Sequence, residues 1–243
     1  MVAPINKTLE VKYKLDVDFS MILHRSWLGL LNPIMNDEYM RNVMVFLHEM
    51  YKTKYITPAK TDIFKPFKLT DLDELKVVII SDSPYINLRH ATGLALANPN
   101  GIHDISRELE AVYKCIEESV YSGFYLDFDW SLESWADQGV LLLNSALTHI
   151  ENYKELNPYD LWRNFMRQVV REISETQTGV QFLLLGNEAQ YFERYINKSS
   201  SYVYSYEHPR DAVRENRMWC CPYFEEINTI ICDNNGPEFC IEW

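Results

Sequence analysis

The chain has 243 residues, 47% of them hydrophobic and 24% charged, with 35 acidic against 23 basic side chains and a formal charge of −12. A chain this apolar can bury enough surface to offset its ordering entropy, which excludes a disordered tail protein. Its 8 Gly and 10 Pro exclude collagen-like and low-complexity architecture, and its acidic balance excludes a uniformly basic nucleic-acid surface while leaving local basic patches open.

Residues 1–20 alternate weakly and read as a strand or an ordered arm, with 1–25 set apart as an N-terminal arm of a single domain over 1–243. They contain no apolar core of a secretory signal, and no apolar run approaches a bilayer's thickness. The expectation is therefore a non-membrane, intracellular protein, cytoplasmic or nucleoid-associated. From Asp37 to Lys52, Met40, Val43, Met44, Leu47, Met50 and Tyr51 recur at helical spacing. Pro58, Pro66 and the polar stretch Thr70–Glu74 punctuate an extended segment. Lys76–Ile80 (KVVII) is a continuous β-branched run, as expected for a strand buried on both faces. It ends in the turn-rich Ser81-Asp82-Ser83-Pro84-Tyr85. Ile105–Tyr121 reads as a helix, Val140–Leu143 as a strand ending at Asn144, and Pro158–Ser174 as a helix. Val180–Leu185 is a strand ending at Gly186-Asn187, Tyr202–Tyr206 a strand ending at His208-Pro209, and Met218–Ile231 a closing helix.

Strands alternating with helices predict a three-layer α/β/α sandwich around a central, mostly parallel four-stranded sheet. In such sheets ligands sit at the carboxyl ends of the strands. That places Asp82, Ser83, Asn144, Asn187 and His208 around one crevice. Each has a plainer reading: a turn for Ser81–Pro84, a helix N-cap for Asn144, a structural imidazole for His208. Four of the five cysteines fall in the last 24 residues without metal-site spacing. They read as reduced, mostly buried thiols rather than zinc ligands. No Walker loop, dinucleotide fingerprint, nucleophile elbow or H-E-x-x-H pair is present.

Several strings nevertheless point together. Trp27–Leu31 with Asn32-Pro33, Ile56–Phe67 (ITPAKTDIFKPF), Trp135–Thr148 (WADQGVLLLNSALT), Phe182–Gln190 (FLLLGNEAQ), His208-Pro209 and the terminal Ile241-Glu242-Trp243 resemble family-1 uracil-DNA glycosylases over residues 27–243. The resemblance implies that fold, and an enzyme that flips a pyrimidine out of DNA and hydrolyses its N-glycosidic bond. It implies a DNA partner, no membrane, a monomer, and neither cofactor nor metal, since the chemistry needs only water and positioned polar groups. By matching positions, Asn144 would read the pyrimidine edge, His208 would donate to the developing base anion, and Tyr85 would crowd the base's 5-position. Pro84, Gly186, Asn187, Pro209, Arg210, Ala212 and Arg214 fall where the family meets DNA.

Other positions depart from the family. Its water-activating aspartate is Ser83 here, with Asp82 one place earlier where the family has glutamine. The block's last histidine is Ile86, the aromatic that stacks on the base is Leu96, and the leucine wedge is Ala212. The proline-rich loop is Asn100–Ser106, without proline. A missing general base costs about 10²–10⁴ in rate, and a lost stacking ring about 1–3 kcal/mol per base. Asp82 could replace the carboxylate only if it faced the crevice, and neighbouring side chains on an extended segment point opposite ways. Two readings follow: excision of uracil or of a modified pyrimidine, or a catalytically impaired homologue serving as a DNA- or protein-binding factor, such as a replication accessory or a decoy. Arg210–Arg217 (RDAVRENR) reads either as a short phosphate contact or as a solvated loop.

Overall fold

The computed structural model describes residues 22–124 and 127–243; the expected N-terminal strand or arm lies largely outside them. Helix α1 (Leu28–Met35) follows a tight turn at Arg25–Trp27 and leads into α2 (Glu38–Met50), whose first turn is capped by the Asp37 carboxylate accepting the Met40 N–H at 2.6 Å. The short strand β1 (Ile56–Thr57) and helix α3 (Lys65–Leu69) occupy the segment expected to be extended, and strand β2 (Val77–Ser81) follows. Helices α4 (Arg107–Ser119) and α5 (Glu133–Asp137) lead to β3 (Val140–Asn144) and β4 (His149–Ile150). The long helix α6 (Pro158–Thr176) precedes β5 (Val180–Leu185) and the single-turn α7 (Asn187–Gln190). Strand β6 (Ser201–Tyr206), α8 (Pro209–Arg214) and α9 (Tyr223–Asn235) complete the order.

The central sheet runs β3-β2-β5-β6 with every pair parallel. Strand residues alternate between two cores, both apolar, and this explains why the strands read as unbroken hydrophobic runs. Val78, Ile80, Leu141, Leu143, Phe182 and Leu184 face α1, α2 and α6, whereas Val77, Ile79, Val140, Leu142, Leu183 and Leu185 face α4, α5 and α9. Edge-on ring contacts knit the first core, with Phe165 touching Phe64, Phe67 and Trp162 at centroid distances of 5.8–6.0 Å. In the second, Trp135, Phe224 and Trp243 pack mutually at 5.0–6.1 Å, and this docks the chain's last residue on α5 and α9.

Three expectations change. The closing helix begins at Tyr223, not Met218, because Trp219 and Cys221 turn into the core before Pro222 and the helix starts only beyond that residue. Arg210–Arg217 is not simply a loop: Pro209 opens α8, where its missing N–H is no loss. The thiols are not all reduced. Cys232 and Cys240, with Cα atoms 5.4 Å apart, form a disulfide that returns the chain after α9, while Cys115, Cys220 and Cys221 remain free. Among the described residues no helix is long and apolar enough to cross a membrane.

Phe165 is fully buried at the meeting point of three rings. Phe165→Ala should therefore lower unfolding free energy by about 3–5 kcal/mol, read from the denaturant midpoint at unchanged slope.

Candidate active site

The carboxyl ends of the four parallel strands lie at one edge of the sheet. In the β2–β3 register Ser81 stands opposite Asn144. The next backbone steps are tied as well, the Ser145 and Ala146 N–H groups donating to the Ser81 and Asp82 carbonyls. Asn144 is thus the buried last residue of a strand, with no helix following it, and the N-cap reading falls. From the far side, His208 leaves β6 as the N-cap of α8.

Both ring nitrogens of His208 are engaged. Nδ1 accepts the Arg210 backbone N–H at 3.0 Å, so in the neutral ring the proton sits on Nε2, which donates to Ser81 Oγ at 2.8 Å. Burial, helped by the Arg210 charge, pushes the imidazole down to about 4. The neutral donor is therefore the form present at ordinary pH.

A cavity of about 290 Å³, at the small end for ligand sites, opens between these strand ends. Its walls include Ser81, Ser83, Tyr85, Leu96, Asn144 and His208. The Tyr85 hydroxyl bonds the Leu96 carbonyl and Ser106 Oγ, each at 2.8 Å, and the Tyr85 carbonyl accepts Thr57 Oγ1–H at 2.7 Å. The ring is therefore held as a rigid wall, its phenol pushed up by burial. Leu96 is buried with φ of 67°, a left-handed conformation that bulky residues rarely adopt; the Tyr85 hydroxyl on its carbonyl helps hold it there.

The two candidates for the lost carboxylate separate in space. Ser83 lines the cavity, with the Tyr159 hydroxyl from the first turn of α6 as a polar neighbour that its sequence position does not mark. Asp82 is absent from the cavity wall. Its carboxylate is buried against the Arg210 guanidinium, with Oδ1 unpartnered among the described residues. Burial pushes Asp82 up while Arg210 pulls it down, and burial wins. His90, His149 and Glu108 also line the cavity; nothing in their sequence spacing marks them, because only the fold gathers them.

Of the expected DNA-contact positions, Asn187, Arg210 and Arg214 are exposed, whereas Pro84, Gly186 and Pro209 are buried. Ala212 is fully buried on the core side of α8. It occupies the wedge's place in the sequence but offers no surface in space, a correction to its expected DNA role. The three arginines of the 210–217 segment are each paired: Arg210 with Asp82, Arg214 with Asp211 at 3.1 Å, and Arg217 with Glu207 and with Glu215.

Comparison with known proteins gives the family and the fold's neighbours. The profile of the Uracil DNA glycosylase superfamily matches residues 67–231. The uracil-DNA glycosylase of Blochmanniella floridana is 31% identical over 219 residues, covering 90% of this chain and 97% of the relative. The chain belongs to the uracil-DNA glycosylase superfamily. A second relative, the uracil-DNA glycosylase of Francisella tularensis subsp. novicida, is 33% identical over 220 residues, 90% of this chain and 98% of its own. Among solved structures, mimivirus uracil-DNA glycosylase superposes with a TM-score of 0.77 at 18% identity, over 90% of this chain and 87% of that one. Its Tyr-to-Phe variant in complex with UGI gives 0.78 over 90% and 89%. The three-layer architecture of this superfamily member is thus that of its relatives.

Gly186 has φ of 90° and ψ of 167°, and a Cβ there would stand 3.0 Å from Asp82 Oδ1 and 3.1 Å from the His208 Cβ. Gly186→Ala should cost about 1–3 kcal/mol of stability in a thermal melt, through a backbone region open essentially to glycine alone. The His208 shift carries a sign. Between about pH 6.5 and the folded value of about 4 the unfolded imidazole takes a proton that the folded one refuses, so stability should fall as pH drops through that window. Denaturation at several pH values, compared with His208→Gln, should show this component only in the parent.

Proposed function

We propose that this chain is a monofunctional DNA glycosylase that hydrolyses the N-glycosidic bond of uracil in DNA, acting as one domain and a monomer. The observation that carries the reading is the meeting of Asn144, Tyr85 and His208 around one base-sized cavity, in a member of this superfamily. Asn144 presents both an amide donor and an acceptor, as a pyrimidine edge requires. The fixed Tyr85 ring forms the wall that refuses a bulky 5-substituent.

Breaking the bond leaves positive charge on the sugar and negative charge on the departing base. A neutral His208 with its proton on Nε2 is suited to the second task, turning its donor from Ser81 Oγ to the base oxygen. The Arg210 guanidinium, also in the cavity wall, is paired with Asp82, and that pairing limits the positive potential it adds there. Ser83, beside the Tyr159 hydroxyl, can orient a water but cannot remove its proton at neutral pH as a carboxylate would. Excision should accordingly run slower than with a carboxylate at that place, by about 10²–10⁴. The slot of Ser83 and the withdrawal of Asp82 from the cavity favour a second reading, a binding factor acting alongside replication proteins.

The experiment is a single-turnover assay on uracil and modified-pyrimidine duplexes, scoring abasic sites. Asn144→Ala and His208→Ala should each reduce the rate by about 10²–10³. Abasic sites from neither substrate class would overturn the proposal in favour of binding alone, and undiminished rates in both variants would overturn the roles given to Asn144 and His208.

A further inference from the structure

Turning a base out of a duplex leaves a gap in the stack, and proteins that unstack DNA commonly fill such a gap with an apolar side chain. Helix α8 cannot do so here. Ala212 is fully buried, and the exposed side chains of its first and last turns are Arg210 and Arg214. On the β2 side of the same cavity, however, the turn that follows Tyr85 carries Ile86 and Leu88, which are 58% and 41% exposed. Ile86 and its neighbour Asn87 line the cavity mouth. Tyr55, another exposed large apolar residue, stands against the turn and accepts the Leu88 N–H on its hydroxyl at 3.0 Å.

Apolar groups gathered at the rim of a functional cavity, where water is their only cover, signal a surface meant to be covered. The turn is also braced. The Asn87 side chain accepts the Arg89 N–H at 3.0 Å, and its carbonyl accepts the His90 and Ala91 N–H groups at 2.9 and 3.2 Å. The His90 ring meets Tyr85 edge-on at 6.0 Å. A wedge needs such stiffness, because a floppy chain would lose in ordering entropy what it gained by insertion. Arg89 is exposed between the wedge residues and His90 and forms no ion pair with a described residue, so its charge is free for a phosphate.

We propose that Ile86 and Leu88 are the wedge of this protein, entering the gap that an everted base leaves in duplex DNA from the side of the cavity opposite α8, with Arg89 on the adjoining phosphate. The inference rests on the reading of the chain as a glycosylase that acts on an everted base. It assigns the missing insertion to a turn whose sequence, Ile86-Asn87-Leu88-Arg89, alternates apolar and polar residues.

A single strand has no stack to fill, so the wedge should matter only in a duplex. The test measures single-turnover excision from a uracil-containing duplex and from the same uracil strand alone, for the parent, Leu88→Ala, Leu88→Phe and the Ile86→Ala/Leu88→Ala pair. Phe239→Ala, an exposed apolar residue at the opposite end of the sheet, serves as control. A 2-aminopurine beside the uracil reports unstacking on binding. The duplex-to-single-strand rate ratio should fall by about tenfold or more in Leu88→Ala and further in the double variant, with the 2-aminopurine response reduced in step. Leu88→Phe, which keeps an apolar wedge, should restore both. An unchanged ratio in an active parent, or an equal loss on both substrates, would overturn the wedge while leaving the glycosylase reading intact. A parent that neither excises uracil nor changes the 2-aminopurine signal would overturn both.

Discussion

The hydrogen bond between His208 and Ser81 joins residues 127 positions apart and closes the cavity from its two sides. It depends on the parallel register of the sheet, since β2 and β6 lie on either side of β5 and end at the same edge. Gly186 lies between them, at the end of β5, with no room for a side chain between Asp82 and His208. The sheet thus supplies level strand ends, the glycine permits close approach, and the cap of α8 sets the tautomer of the ring. Each step is a packing or hydrogen-bond condition that the chemistry above it requires.

Charge is distributed differently from what the superfamily resemblance implies. The position expected to hold a carboxylate is a serine, and the carboxylate one residue earlier is buried behind the wall and neutralised by Arg210. A buried carboxylate left unpaired would be costly, and this accounts for the Arg210 partnership. The consequence is that the one carboxylate next to the expected position is committed to an ion pair, and Ser83 is left at the cavity wall.

The segment after His208 shows how a matching position can differ in role. Its arginines are bound to neighbouring acids, and its small residue packs inward. A short amphipathic helix decides this: with Pro209 at its start, Ala212 falls on the face toward the second core and the charged residues fall outside. The exposed apolar surface at the cavity is found instead on the turn after Tyr85.

Local sequence determined much of this protein. The runs KVVII, VLLL and VQFLLL read as strands covered on both faces, and the strand-helix alternation pointed to a mostly parallel sheet with its ligand edge at Asp82, Ser83, Asn144, Asn187 and His208. Helices α2, α4 and α6 were legible in the sequence, and the structure adds the caps Asp37, Ser106 and Asn157. Tertiary structure alone decided which of the adjacent Asp82 and Ser83 faces the cavity, because that depends on where Arg210 and Tyr159 arrive from elements far away in the chain. It likewise decided that Cys232 meets Cys240, that Ala212 is buried, and that Ile86 and Leu88 stand exposed at the cavity mouth. Periodicity reports which side of its own element a residue occupies; it carries no information about what the rest of the chain brings to that side.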